Sequence, residues 1–239
     1  MTKLSGFFIT GTDTEVGKTL VSGALILKFR AQGKQAIGFK PVVAGTYQSA
    51  NGELLNEDLE TLRIASQLAP DQVNLSPYIL EMPVAPHLAA ANKGIVLQLS
   101  TIMQSLQETQ KHSDCLIIEG AGGLLIPLND HENLGDLVQQ IGLPVILVVG
   151  MKLGCINHAL LTQEAIKARG LKIAGWIANS LSSEMFLLKE NVDTLQAKID
   201  APFLGLIPVL PKALQKADNS PYSIEALDFA AQYLQIPHH

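Results

Sequence analysis

Short apolar runs alternate with amphipathic stretches along the whole chain. The runs Gly6–Thr10, Ala36–Pro41, Asp114–Glu119, Pro144–Val149, Ile173–Asn179 and Phe203–Ile207 are continuously apolar rather than alternating. Strands read this way when both faces of a parallel sheet are covered. Between them, helical periodicity covers Lys18–Gln32, Glu57–Ala69, Gln98–His112, Leu134–Ile141, Asn157–Arg169, Glu184–Ile199 and Ser223–Leu234. Strand and helix in repeated alternation predict an α/β fold with one doubly wound, mainly parallel sheet flanked by helices. No linker, repeat or low-complexity segment interrupts the pattern, so residues 1–239 are expected to form a single domain.

Composition sharpens this picture. Of the 239 residues, 47% are hydrophobic and 16% charged, a balance that favours a compact core over disorder. The net charge is −5 and the Lys and Arg residues are scattered, which argues against a nucleic-acid partner. Apolar runs such as Pro144–Gly150 are too short to span a bilayer, so no membrane partner is expected. The N-terminus lacks the long apolar segment of a signal peptide, and a cytoplasmic protein is expected. Cys115 and Cys155 sit in apolar surroundings and read as small buried hydrophobes, not as a disulfide or a zinc site. The terminal His238 and His239 are given no role.

The chemistry begins at "FITGTDTEVGKTL", Phe8 to Leu20. A strand, a Gly-containing turn, Gly-Lys-Thr and a helix form the setting of a phosphate-binding loop. The usual loop has four residues before its Gly-Lys-Thr. Here Gly11 and Gly17 enclose five: Thr12, Asp13, Thr14, Glu15 and Val16. Gly17 lets backbone N–H groups approach phosphate oxygens. Lys18 offers charge to the β and γ phosphates, and the Thr19 hydroxyl can ligate Mg²⁺. The helix N-terminus adds its dipole. The bland alternative is an ordinary Gly-containing turn, which the context disfavours. The longer loop presents Asp13, Thr14 and Glu15 near the nucleotide's far end, where two acids suit a cationic group such as an amine.

Other positions leave two readings open. Lys40 stands at the end of the second run, where α/β sheets bind ligands, or is a solvated lysine before a proline turn. Glu119 ends a buried run and faces the loop, placed to hold Mg²⁺ directly or through water. Asp58 is either an acid favoured by a helix N-terminus or a metal ligand, and Asn56 can cap that helix in its place. Asn179 is either a turn residue after a strand or a bidentate partner for an adenine edge.

The loop "GTDTEVGKT", with "GFKPV" at Gly38–Val42, "EGAGG" at Glu119–Gly123, "PVILVVGMKLGCINHALLT" at Pro144–Thr162 and "AGWIAN" at Ala174–Asn179, resembles the blocks of the dethiobiotin synthetase family. They stand in the family's order over about three quarters of the chain. The resemblance implies a homodimer of ATP-binding α/β domains. It implies ATP-dependent carboxylation and ring closure of 7,8-diaminononanoate with CO₂, giving dethiobiotin, ADP and phosphate in biotin biosynthesis. The intermediates would be a carbamate and a carbamic–phosphoric anhydride. It assigns catalysis to Lys18, Lys40, Thr14 and Glu15. Nucleotide contacts fall to Asp13, Thr14, Glu15, Val16, Gly17, Lys18 and Thr19, then to Glu119, Gly120, Gly122 and Asn179. Pro208, Val209 and Leu210 are expected to border the base. Mg²⁺ falls to Thr19, Asp58 and Glu119. The diamine falls to Lys40 and Ala44, with its carboxylate held by the N–H groups of Gly154, Cys155, Ile156 and Asn157 from the neighbouring subunit. His158, inside that helix, reads as structural. Ala44 departs from the hydroxyl residue many members carry there, and Glu184–Lys198 matches weakly.

Two rivals stand beside this reading. A cobalamin-type amidating ligase would need a further glutamine-hydrolysing domain with a nucleophilic cysteine, for which the chain leaves no room. A partitioning or regulatory ATPase commonly carries an extra lysine early in its loop, and Gly11–Val16 contains none.

Overall fold

The computed structural model describes residues 4–49 and 51–237; His238 and His239 lie outside them. Six strands form one parallel sheet: β1 (Gly6–Gly11), β2 (Ala36–Phe39), β3 (Cys115–Glu119), β4 (Val145–Met151), β5 (Ile173–Ser180) and β6 (Phe203–Ile207). Their order is β6-β5-β4-β1-β3-β2, and every pairing is parallel. The direction of winding reverses at β1. A crevice therefore opens above the carboxyl ends of β1, β3 and β4, the place where open α/β sheets bind ligands.

The continuous apolar runs are explained by burial on both faces. On β4, Leu147, Val149 and Met151 enter one core cluster, with Trp176 of β5. Ile146 and Val148 enter the other, with Phe7 and Phe8 of β1 and Ile117 of β3. Successive side chains of a strand point to opposite faces, so a strand covered twice has no polar position to spare. The covering helices are α1 (Lys18–Ala31), α2 (Glu57–Ala65), α3 (Pro86–Asn92), α4 (Leu99–Gln110), α5 (Leu134–Ile141), α6 (Cys155–Ala168), α7 (Leu188–Lys198) and α8 (Ile224–Ala231). Helices α1, α2 and α8 pack together, as do α6 and α7. None of the described helices is long and apolar enough to cross a membrane.

All six expected strands form, with boundary shifts that matter at the site. Strand β2 stops at Phe39, so Lys40 and Pro41 belong to the turn beyond it, where the Lys40 N–H donates to Leu75 O at 2.9 Å. Helix α6 starts at Cys155, two residues early, behind the left-handed Gly154. Helix α7 starts late, at Leu188, because Leu187 is left-handed (φ 53°) and exposed. Helix α2 stops at Ala65, ahead of the left-handed Gln67. Helix α3 and two small sheets, Val43–Ala44 with Ile79–Leu80 and Tyr47–Gln48 with Leu54–Leu55, were outside the expected pattern. These pieces are too short for a period to register.

Gly6 begins the strand that carries the loop. It has φ 135°, and a Cβ there would lie 1.8 Å from Leu116 O on β3. Gly6→Ala should therefore destabilise the fold by about 3 kcal/mol or more, lowering Tm by roughly 6–12 °C. An unchanged urea midpoint would show that β1 and β3 can separate at this edge without cost.

Candidate active site

The loop between β1 and α1 is fastened at both ends. The Thr12 N–H donates to Val148 O of β4 at 3.0 Å. At the other end, the buried Asn179 Nδ2 donates to Val16 O at 3.0 Å. Gly17 is left-handed (φ 89°), and a Cβ there would stand 2.1 Å from Asn179 Nδ2. A glycine is required there both by the backbone and by the amide across from it. Lys18 is buried and turns back on its own loop, donating from Nζ to Asp13 O at 2.9 Å. Asp13 accepts from Thr14 N at 2.8 Å through Oδ1 and pairs through Oδ2 with Lys152 Nζ at 2.8 Å. The Asp13 carboxylate, expected to face an amine, thus has a cation of this chain already. Glu15 is exposed and left-handed (φ 59°), and is the acid the loop leaves open.

Three element ends converge beside this loop. Phe39 of β2 pairs in register with Ile118 of β3, so the next residues, Lys40 and Glu119, emerge side by side. Lys40 Nζ lies 2.5 Å from Glu119 Oε1 and 2.7 Å from Asp58 Oδ2. Asp58 stands in the first turn of α2, and the Asn56 side chain accepts from the N–H groups of Asp58 and Leu59, capping the helix. Capping by Asn56 frees the Asp58 carboxylate for the site. Thr19 Oγ1 is 2.7 Å from Asp58 Oδ1 and 2.8 Å from Glu119 Oε1; its single proton can serve only one of them at a time.

Electrostatics follow from burial and sign. Burial pulls the Lys40 ammonium down, but Asp58 and Glu119 outweigh it, and the net shift is upward. Asp58 moves the opposite way: burial raises its carboxyl, and the Lys40 charge and hydrogen bonds bring it below its usual value. Lys18 is lowered to about 8, by burial first and by the charge of Lys40 second.

The cluster opens into a cavity of about 820 Å³. Thr14, Glu15, Gly17, Lys18, Thr19, Lys40, Ala44, Asp58, Glu119 and Gly122 all line it. Asn179, buried near the end of β5, and the partly buried Pro208, Val209 and Leu210, just past β6, are not among the lining residues. Val16 and Gly120 are buried supports, the Gly120 N–H donating to Ile9 O at 2.9 Å. The Gly154–Asn157 segment sits at the end of β4 and the start of α6. There Gly154 and Asn157 are exposed, Ile156 is partly buried, and the buried Cys155 offers only backbone. His158 lies inside α6, as expected, and is exposed on its first turn.

The cavity also recruits residues that carry no motif. Tyr47, Glu57, Lys216, Asn219 and Tyr222 line it. Lys216 Nζ pairs with Glu57 Oε2 at 2.5 Å and lies 5.7 Å from the Tyr222 ring centroid. Burial, and then the charge of Asp58, push the Tyr222 hydroxyl up to about 12.

A divalent cation fits this donor set. Glu119 is fully buried, and its Oε2 has no partner, an orphaned oxygen aimed into a polar site. Thr19 and Asp58 add two more hard oxygens. No cluster of three or more His, Cys, Asp and Glu side chains that could hold a metal forms among the described residues. The cation would thus take two carboxylates and a hydroxyl, with phosphate oxygens and water completing the octahedron that Mg²⁺ prefers.

Strand order, loop and helix start together define a P-loop nucleotide-binding protein. The fold matches the septum site-determining protein MinD complexed with Mg-ADP from Pyrococcus horikoshii OT3, with TM-score 0.54 and 18% identity over 95% of each chain. It also matches the cell division ATPase MinD of Pyrococcus furiosus, with TM-score 0.53 and 17% identity over 95% and 97% of the two chains. At such identity the likeness is one of fold. An AAA domain model matches residues 5–217. The ATP-dependent dethiobiotin synthetase BioD of Aromatoleum aromaticum is 50% identical over 208 residues, 87% of this chain and 92% of the relative. That of Vibrio campbellii is 42% identical over 225 residues, 94% and 98% of the two chains. The chain belongs to the ATP-dependent dethiobiotin synthetase family.

Lys18 sets a pH dependence. Its charged form is the one that holds phosphate, and in the free protein that form is lost as pH rises through about 8. MgADP affinity should therefore weaken on going from about pH 7 to pH 9.5, approaching tenfold per unit at the upper end, with proton uptake on binding. Calorimetry in buffers of different ionisation enthalpy checks both, and a flat profile would separate Lys18 from the phosphates.

Proposed function

We propose that this protein carboxylates 7,8-diaminononanoate with CO₂ and closes the ring at the expense of ATP, giving dethiobiotin, ADP and phosphate. The observation that carries the reading is the buried Lys40, fixed between Asp58 and Glu119 beside the phosphate loop, in a chain of this family. A lysine there suits an anionic carbamate next to a γ phosphate.

One amine nitrogen attacks the CO₂ carbon and gives up a proton, leaving a carbamate. A carbamate oxygen attacks the γ phosphorus, the bond to the β–γ bridging oxygen breaks, and ADP departs. The second amine attacks the carbonyl carbon of the anhydride and loses its proton. The carbonyl C–O bond then breaks, phosphate leaves, and the cyclic urea closes. Lys40 holds the carbamate oxygens, Lys18 holds the transferring phosphoryl group, and the loop N–H groups orient both. Glu15, exposed on the cavity wall, favours the diamine's ammonium form on arrival; Thr14 lies beside it as a hydroxyl partner. Thr19, Asp58 and Glu119 would hold Mg²⁺, which when bound offsets phosphate charge. Adenine is assigned to Asn179, whose Nδ2 gives one proton to Val16 O and keeps a second, and to Pro208–Leu210.

The whole chain is read as one ATP-binding domain acting in the cytoplasm as a homodimer. Leu153 is 100% and Phe186 91% exposed, and the left-handed Leu187 is exposed too. Apolar side chains this open, just ahead of α6 and of α7, support a subunit contact on this side of the sheet. They also support the assignment of Gly154–Asn157 to the diamine carboxylate in the partner's site. Light scattering should give twice the chain mass, and a monomer at working concentration would remove the shared site.

The reaction itself is tested by incubating the protein with the diamine, bicarbonate and MgATP and weighing the product. A gain of CO₂ less water identifies the cyclic urea. ATP turnover indifferent to diamine and bicarbonate would favour a regulatory ATPase instead. Lys40→Gln leaves the buried Glu119 without its cation and should lower Tm; in the folded variant kcat should fall by roughly 10²–10³-fold, with MgADP binding retained. Near-normal kcat in that variant would take Lys40 out of the chemistry.

A further inference from the structure

Lys152 follows β4 directly and is about half exposed, yet it does not point away into solvent. Its Nζ lies 2.8 Å from Asp13 Oδ2. The backbone carbonyl of the same Asp13 accepts from Lys18 Nζ at 2.9 Å. Two ammonium groups thus address one residue of the phosphate loop, Lys18 from α1 and Lys152 from the end of the neighbouring strand. The stretch Gly11–Val16 has no lysine of its own, so all the positive side-chain charge at this end of the loop is imported.

Fold stability does not account for the arrangement. Side-chain exposure is 44% for Lys152 and 43% for Asp13, and exposed pairs of this kind add little to stability. Asp13 is nonetheless held firmly as an anion. Its carboxyl is lowered by the Lys152 hydrogen bond first and by the Thr14 N–H second. An ammonium has three donors, and Asp13 engages one. The others stay free on a side chain long enough to swing without leaving the loop.

The position along the loop says which phosphate is meant. The β phosphate of a bound nucleotide sits at the helix N-terminus, and Lys18 spans the β and γ groups. Asp13 precedes Lys18 by five residues, on the strand side of the loop and away from that helix end. A cation parked there stands towards the terminal phosphate.

We propose that Lys152 is a further γ-phosphate-contacting residue, kept beside the loop by Asp13 and handed to the terminal phosphoryl group when a triphosphate enters. The inference rests on the ATP-dependent reading above. It answers why an acid stands early in a loop built for phosphates: Asp13 carries the lysine rather than the substrate amine.

Binding of two nucleotides separates this role from mere ordering of the loop. MgADP and a triphosphate analogue with a methylene β–γ bridge are titrated into the wild type, Lys152→Met and Lys152→Arg. In Lys152→Met the analogue should bind roughly tenfold or more weakly, with ADP affinity changed by less than about twofold. Lys152→Arg should recover part of the loss. The same variant should show a lowered kcat, an unchanged KM for the diamine and an unchanged Tm. Equal weakening of ADP and the analogue would mean that Lys152 only orders the loop, and no change in either would mean a surface ion pair; each overturns the proposal. If the wild type bound neither nucleotide, the phosphate-loop reading would fail first, and this inference with it.

Discussion

A carboxylate with no exposed surface cannot stand alone, and Glu119 is such a carboxylate. Leaving it uncompensated would cost several kcal/mol, so an opposite charge has to arrive beside it. That charge is Lys40, delivered by the in-register ending of β2 against β3. Strand order, register and the site are thereby one constraint. A slip of one residue between these strands would bury Lys40 and Glu119 apart from each other. The charged cluster is a condition of the sheet's pairing, not an addition to a finished fold.

The same constraint explains the charge balance of the site. Lys18 and Lys40 bring two positive charges, Asp58 and Glu119 two negative ones. Lys40 takes both acids as close partners and keeps its proton firmly. Lys18, left with a backbone carbonyl and a neighbouring ammonium, becomes the weaker base. A balanced cluster can be buried without a ligand. The same balance suits a polyphosphate accompanied by a divalent cation, whose charges would divide between the lysines and the acids. The unpartnered Glu119 Oε2 marks where the balance is incomplete in hydrogen bonds though complete in charge.

How much of this was legible depended on the range of the interaction. Five of the six strands were readable because they are buried along their whole length, which leaves a continuous apolar run; β6, at the sheet edge, is only partly buried yet keeps the same apolar run. The phosphate loop was readable because its parts are adjacent in sequence. Asn56 as a cap and Asp58 as a free acid could be read from their spacing alone. Lys40 could not be decided from the residues, because its partners come from α2 and β3. The Asp13–Lys152 pair joins residues 139 apart, and Lys216–Glu57 joins residues 159 apart. No local pattern announces such pairs, which is why Asp13 read as a partner for an amine and why Lys216 and Tyr222 did not register. Helix α3 failed for the opposite reason, being too short to show a period.

The extra residue of the loop has its own physical account, and it begins with Val16 rather than with phosphate. Val16 is fully buried beneath the loop. A Cβ on Gly11 would stand 2.6 Å from Val16 Cγ2, and one on Gly150 would stand 2.7 Å from Val16 Cγ1. The two glycines, at the ends of β1 and β4, are small so that this side chain can sit between the strands. The first glycine of the motif therefore serves packing, while Gly17 alone serves the backbone turn at the helix. With Val16 plugged inward and its carbonyl held by Asn179, the residues before it have to arch outward. Asp13, Thr14 and Glu15 form that arch, and they divide its work. Asp13 faces back to Lys152, and Glu15, in its left-handed conformation, faces the cavity. A four-residue loop over the same plug would have no room for both.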